Sequence, residues 1–111
     1  MRKRRSPDDV RGTPQFKAFY TRLGKDCELR KVIDKCLDSL RKDMLVGDKI
    51  GKNKWPKRYV NKYKIRNLFR LDATKECRLT YTIIAEAQKK IVCVIEFFAS
   101  HAKYNHRFGY S

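Results

Sequence analysis

The sequence of 111 residues is long enough for one small domain with a single shared core. Its 41% hydrophobic and 12% aromatic residues favour a folded domain over a disordered chain. Its formal net charge of +16 favours a polyanion as the binding partner. We expect nucleic acid rather than an anionic membrane surface, because the basic residues are concentrated outside the predicted amphipathic helices.

The spacing of particular residues disfavours several other classes of protein. The four cysteines have no CxxC or Cys/His cluster spacing, which favours a reduced, cytoplasmic protein over a disulfide framework or a zinc site. The two histidines, His101 and His106, have no carboxylates nearby, so no metal is predicted. We expect no cofactor either, since no glycine-rich phosphate loop is present. No apolar run approaches the roughly 18 residues of a membrane span.

The N-terminal part is predicted to consist of an arm and a first helix. Residues 1–12 are polar and basic, which predicts a flexible arm preceding a single domain at residues 13–111. The proline and glycine within residues 6–13 make this stretch a poor candidate for a strand. Thr13 and Pro14 are suited to the N-cap and first position of a helix, which Gly24 would end.

A second helix is indicated by an unbroken apolar stripe at helical spacing after Asp26, its predicted N-cap. The stripe consists of Leu29, Val32, Ile33, Cys36, Leu37, Leu40 and Met44. The short connection between the two helices predicts an antiparallel helical hairpin. The apolar faces of this hairpin require a sheet to cover.

A loop at residues 45–54 leads into the most basic part of the chain. Pro56 is predicted to start a helical turn with Trp55, Tyr59 and Tyr63 on one side, where Trp55 is suited equally to core packing and to base stacking. Residues 49–70 contain nine basic side chains and no acidic one. We expect this segment to bind RNA phosphates, with Lys54, Lys57, Arg58, Arg66 and Arg70 among the ligands.

Three strands are predicted after the basic segment, at residues 65–71, 78–84 and 91–98. In the second, Leu79, Tyr81 and Ile83 alternate with Arg78, Thr80 and Thr82, which predicts one core face and one polar face. The third is apolar on both faces apart from Glu96, which predicts a central position. Short links favour an antiparallel meander, so the fold class is α+β with the helical hairpin packed on one face of the sheet.

The composition permits a ribonuclease that works without a metal ion. The 2′-hydroxyl of RNA can attack its own phosphate if protein groups move two protons and stabilise the added negative charge. Arginine is suited to the charge, and histidine, lysine or tyrosine to the protons. Arg78 on the polar strand face and the tail residues His101, Tyr104 and Arg107 supply these groups.

The order of these segments resembles the RelE/ParE superfamily of toxins from toxin–antitoxin pairs. The resemblance covers residues 16–110 and is carried by the helical hairpin, the basic loop, the strands NLFRL, RLTYTI and IVCVIEFF, and the tail HAKYNHRFGY. It implies a compact antiparallel sheet packed on a helical hairpin. It also implies an mRNA endoribonuclease that acts in the ribosomal A site and is neutralised by an antitoxin protein.

The resemblance also implies roles for individual residues. Arg78 matches the strand arginine that contacts the scissile phosphate, and Lys62 and Lys64 lie where the family keeps proton-accepting or phosphate-binding cations. His101 and Tyr104 match tail positions that supply an acid, a base or a stacking aromatic. Arg107 is a further phosphate ligand.

Two departures from the family pattern leave alternatives open. The family begins with an edge strand, for which residues 6–13 are poorly suited, and the basic loop has no acidic residue to serve as a base. ParE-type relatives share the scaffold but inhibit DNA gyrase without cleaving RNA. A non-catalytic gyrase or RNA binder, or an inactive relative, therefore stays open beside the ribonuclease.

Overall fold

The computed structural model describes residues 5–109. Residues 1–4 of the predicted arm and residues 110–111 at the end of the predicted domain lie outside the described part. The strands are β1 (Asp9–Gly12), β2 (Asp48–Lys49), β3 (Phe69–Asp72), β4 (Arg78–Glu86) and β5 (Lys89–Phe98). The helices are α1 (Pro14–Arg22), α2 (Glu28–Lys42), α3 (Lys57–Tyr63) and α4 (His101–Phe108).

The strands form one five-stranded sheet in the order β1-β5-β4-β3-β2. The predicted antiparallel meander is confirmed for β3, β4 and β5. β5 has a strand on each side, but the middle strand of the five is β4. The sequence prediction was wrong for residues 9–12, which form β1 and pair in parallel with β5. Pairing with a distant strand, which local propensity does not reveal, makes a strand of this polar stretch.

The two N-terminal helices, α1 and α2, pack on one face of the sheet, as predicted. Thr13 caps α1 by accepting a hydrogen bond from the backbone N–H of Phe16, and Pro14 is the first helical residue. The apolar stripe of α2 packs with Phe16 against sheet residues such as Leu79 and Tyr81. The prediction of Asp26 as the N-cap of α2 was wrong, because Cys27 holds that position and makes no side-chain capping bond.

The opposite face of the sheet is covered by α3 and α4. The sequence predicts a polar face here, but Thr80 and Thr82 are buried. A second apolar cluster contains Tyr59 of α3, Tyr104 and Phe108 of α4, and sheet residues such as Phe98. The prediction failed because threonine tolerates burial when its hydroxyl is bonded, as that of Thr80 is to Tyr59 at 3.0 Å.

The C-terminal helix and the helical turn after Pro56 place the basic tail and the basic segment on this same face. Ser100 caps α4 by accepting from the N–H of Lys103, and Gly109 ends it in a left-handed conformation with φ of 77°. Trp55, Tyr59 and Tyr63 lie on one side, as predicted, and belong to the second apolar cluster. Within residues 5–109, no helix is long and apolar enough to cross a bilayer.

Candidate nucleic-acid interface

Arg78 is the first residue of β4 and is partly buried against the C-terminal helix. Its side chain is 21% exposed, and its guanidinium lies 4.7 Å from the centre of the Tyr104 ring. Its Nε atom is 3.3 Å from Oδ1 of Asp72, the cross-strand neighbour on β3. The structure therefore brings together two of the predicted catalytic residues, Arg78 and Tyr104.

Arg70 lies beside Arg78 and shares the same carboxylate. Its Nε atom is 3.3 Å from Oδ1 of Asp72, and a terminal nitrogen is 3.5 Å from Asp48. Burial lowers the pKa of Arg70. A hydrogen bond with the Tyr104 hydroxyl and attraction to the two nearby carboxylates raise it by more, so the pKa is raised overall. We refer to Arg70 and Arg78 as the arginine pair.

The arginine pair has unused hydrogen-bonding capacity. The Nε atoms of Arg70 and Arg78 are both buried, and neither makes a hydrogen bond within the described structure. Asp72 is near enough for charge attraction, but it does not satisfy the directional requirement of either donor. These two atoms are closed to solvent, so an anion such as a phosphate would have to contact the partly exposed side chains of Arg70 and Arg78 through their other nitrogens.

His101 and Tyr104 lie on one helix but differ in accessibility. Tyr104 is only 1% exposed, with its ring 5.4 Å from that of Phe98 and 4.4 Å from that of Phe108. A nucleobase therefore cannot stack on this ring, and its structural contribution is to support the arginine pair. His101 is exposed at the start of α4 and is available for proton transfer.

Lys62 and Lys64 do not join this group. Both are exposed, and the ammonium of Lys62 lies 5.6 Å from the centre of the Tyr63 ring. Lys64 ends α3 in the left-handed region with φ of 53°, and it lines a cleft with residues 82–85 of β4. Thr82, the residue of this cleft that is nearest to Arg78 along β4, lies four positions from it, or about 13 Å.

The predicted RNA ligands divide into exposed and engaged side chains. Lys54, Lys57 and Arg66 are exposed, and Lys57 and Arg66 line a cleft of about 620 Å³ with Lys52, Trp55, Val60, Asn61 and Ile65. Trp55 is fixed there by its indole N–H, which donates to the carbonyl of Ile50 at 2.9 Å. Arg58 is exposed and donates to Gln15 at 3.0 Å.

Arg107, also predicted as an RNA ligand, is turned towards the sheet. It contacts the Glu96 carboxylate through two nitrogens at 2.9–3.3 Å, and Tyr59 donates to the same carboxylate at 2.7 Å. The hydrogen bond to Glu96 raises the pKa of Arg107. Burial and the neighbouring Glu96 raise the pKa of Tyr59 far above its usual value, so this phenol stays protonated.

Two acidic residues at this face were not identified from the sequence: Asp72 beside the arginine pair and Glu96 beside Arg107. Asp72 and Glu96 stand in no motif, and only their cross-strand pairing with Arg78 and Thr80 places them at the interface. The one available signal was the isolated glutamate in an otherwise apolar strand, since a buried carboxylate requires a cationic partner. Among residues 5–109, no three histidine, cysteine, aspartate or glutamate side chains are grouped as a metal site.

Comparison of the chain with protein-family models, with curated proteins and with solved structures finds no match. The resemblance to the RelE/ParE superfamily therefore stays a prediction from the sequence.

Proposed function

We propose that this protein binds RNA on the face formed by α3, α4 and the start of β4, and cleaves it without a metal ion. The observation that carries the proposal is the arginine pair, two neighbouring and partly exposed arginines that lie next to the helix that presents His101. A phosphate between the guanidinium groups would receive charge-assisted hydrogen bonds from both.

In the proposed reaction, the RNA 2′-hydroxyl attacks the adjacent phosphorus and the bond to the 5′-oxygen breaks. Arg70 and Arg78 stabilise the additional negative charge of the phosphorane. His101 transfers a proton, either from the attacking hydroxyl or to the leaving oxygen. Tyr104 is a positioning residue, because its buried ring and hydroxyl hold the two arginines in place.

The exposed cations around α3 provide binding rather than chemistry in this proposal. Lys54, Lys57, Lys62, Lys64 and Arg66 would hold the RNA strand beyond the cleaved phosphate through salt-dependent contacts. The sequence resemblance adds the ribosomal A site as the place of cleavage and an antitoxin as the protein that neutralises it. Both partners are part of the proposal.

The test is cleavage of mRNA on programmed ribosomes by the wild type and by variants at the arginine pair and the helix start. Arg78→Lys keeps the charge but removes the planar fork, and we expect a loss of about 10²-fold in rate. His101→Ala should cause a comparable loss. His106→Ala, which removes an exposed histidine about one and a half turns from the helix start, is the matched control and should be fully active. Full activity of both Arg78→Lys and His101→Ala would refute the proposed site.

A second candidate is a non-catalytic protein that inhibits DNA gyrase or coats RNA. The burial of Tyr104 and the distance of Lys64 from Arg78 favour it, because they leave His101 as the one predicted proton-transfer residue still available to the arginine pair. Loss of gyrase supercoiling in the presence of the protein, with ribosome-bound mRNA left intact, would support this candidate over the ribonuclease.

A further inference from the structure

Five residues of β4 have no strand beside them on one side. β4 extends over Arg78–Glu86 and pairs with β5 along its whole length, but β3 pairs only with residues 78–81. Among residues 5–109, no other strand occupies the position next to residues 82–86. The sheet therefore has an open edge here, and we refer to residues 82–86 as the open edge of β4.

The side chain of Asn67 occupies the first position of the missing strand. Its amide nitrogen donates to the carbonyl of Ile83 at 2.9 Å, and its amide oxygen accepts from the N–H of Ile83 at 2.7 Å. Thr82 donates through its hydroxyl to the carbonyl of Asn67 at 2.8 Å. One side-chain amide thus replaces a strand for a single residue, and the main chain leaves the sheet at this point.

The next outward-facing residue, Ala85, has no such replacement. A two-residue turn, Ala87 and Gln88 with φ of 48° and 67°, joins Glu86 to Lys89 across the hairpin. The residues that flank such a turn exchange hydrogen bonds, and the pattern alternates along the strand. Ile83 and Ala85 therefore direct their backbone N–H and C=O groups away from β5. For Ile83, the hydrogen bonds with Asn67 show this orientation independently.

The open edge borders a cleft that is cationic and partly apolar. The cleft has a volume of about 540 Å³ and is lined by residues 63–67 and 82–85. Ile84 is 41% exposed beside it, although it is a large apolar side chain. Lys64 and Arg66 are exposed on its other wall, and neither makes an ion pair with any residue of the described part.

We propose that the open edge of β4 binds an extended acidic peptide segment of a partner protein, which adds as a short strand beside residues 84–86. The peptide backbone would pair with the N–H and C=O of Ala85, and its carboxylates would lie against Lys64 and Arg66. An apolar side chain on the same face would cover Ile84. The proposal does not depend on the ribonuclease activity.

The backbone pattern favours a peptide over RNA at this position. A strand edge presents a carbonyl acceptor next to each N–H donor, and a phosphate can use only the donor while the carbonyl repels it. A peptide backbone uses both groups. A second copy of this chain is disfavoured because each copy has a net charge of +16.

The test uses nuclear magnetic resonance of the full-length, ¹⁵N-labelled protein and a blocked hexapeptide of alternating glutamate and valine. We expect chemical-shift changes at residues 82–86 and slower hydrogen exchange of the Ala85 amide. Ala85→Pro should abolish binding, because it removes the donor that faces the cleft but none of the hydrogen bonds between β4 and β5. Its mRNA cleavage should equal that of the wild type, which separates this proposal from the proposed function.

Charge variants provide a second test that does not depend on proline being tolerated. Lys64→Glu with Arg66→Glu should weaken peptide binding about tenfold. The matched control, Lys35→Glu with Lys42→Glu on α2, changes the net charge equally on the other face of the sheet and should leave binding unchanged. Three results would each overturn the proposal. The first is an equal loss of peptide affinity in both pairs of charge variants, and the second is unaltered peptide binding by Ala85→Pro. The third is chemical-shift changes at Ala85 with oligouridine but not with the peptide.

Discussion

Replacing Arg107 with methionine tests whether this arginine supports the fold or contacts RNA. The sequence assigns it to the RNA-binding surface, whereas the structure turns its guanidinium towards Glu96 and Tyr59. Methionine keeps the aliphatic length but removes the charge and the donors. We expect the free energy of unfolding to fall by about 3 kcal/mol, the lower part of the range for breaking a buried ion pair.

The magnitude follows from how much water reaches the two side chains. Glu96 is 13% exposed and Arg107 is 25% exposed, so loss of the arginine leaves a mostly buried carboxylate with Tyr59 as its remaining hydrogen-bond donor. Replacing the carboxylate too, in Glu96→Gln with Arg107→Met, removes the uncompensated charge and keeps an acceptor for Tyr59. The double variant should therefore recover about 2 kcal/mol relative to the sum of the single changes.

Urea denaturation of the wild type, both single variants and the double variant gives the coupling energy. RNA affinity, measured by filter binding at several salt concentrations on fully folded protein, shows whether a phosphate contact is lost with Arg107. A structural role predicts an unchanged salt slope. Destabilisation by less than about 1 kcal/mol, together with a slope reduced by about one contact, would refute this reasoning and restore Arg107 to the RNA interface.

Two further changes address the arginine pair and the dependence on pH. Asp72→Asn removes the carboxylate that competes with RNA for the arginine pair. Filter binding should show that oligouridine binds up to about fivefold more tightly, since an exposed ion pair contributes at most about 1 kcal/mol. Weaker binding would show instead that Asp72 orients the arginine pair. Burial raises the pKa of Cys36 to about 11 from its ordinary 9.0, so between these values the folded protein holds a proton that the unfolded chain has released. The free energy of unfolding should therefore fall as pH rises from about 9 to 11. Urea denaturation should show a shallower fall for Cys36→Ala than for the wild type. Parallel curves of free energy against pH would contradict the assignment of this pH dependence to Cys36.

Local signals in the sequence predicted the elements whose causes are local. The Thr13 and Pro14 pair starts α1, the apolar stripe defines α2, and Pro56 precedes α3. The strand β1 was missed because only its pairing with β5 stabilises it. The helix α4 was also missed, although Ser100 and Gly109 are suited to its two ends, because its composition is polar.

The site was predictable in residue type but not in arrangement. Arg78 was selected because it lies on the predicted polar face of an alternating strand and matches the strand arginine of the resemblance, and the structure brings it to Tyr104. Arg70 was assigned only to the general basic surface, because its proximity to Arg78 results from the pairing of β3 with β4. The burial of Tyr104 depends on Phe98 and Phe108, which the sequence does not place on either side of it.

The parallel pairing of β1 with β5 has a consequence for how the chain folds during synthesis. The hydroxyl of Thr13 at the end of β1 donates to the carbonyl of Ile95, 82 residues later. At the usual rates of translation, β1 and α1 leave the ribosome roughly 4 to 16 s before their partner strand. Until β5 emerges, the apolar sides of α1 and α2 lack the β5 residues against which they pack. An incomplete chain that stops before β5 lacks the strand that joins β1 to β4, so it cannot assemble the five-stranded sheet.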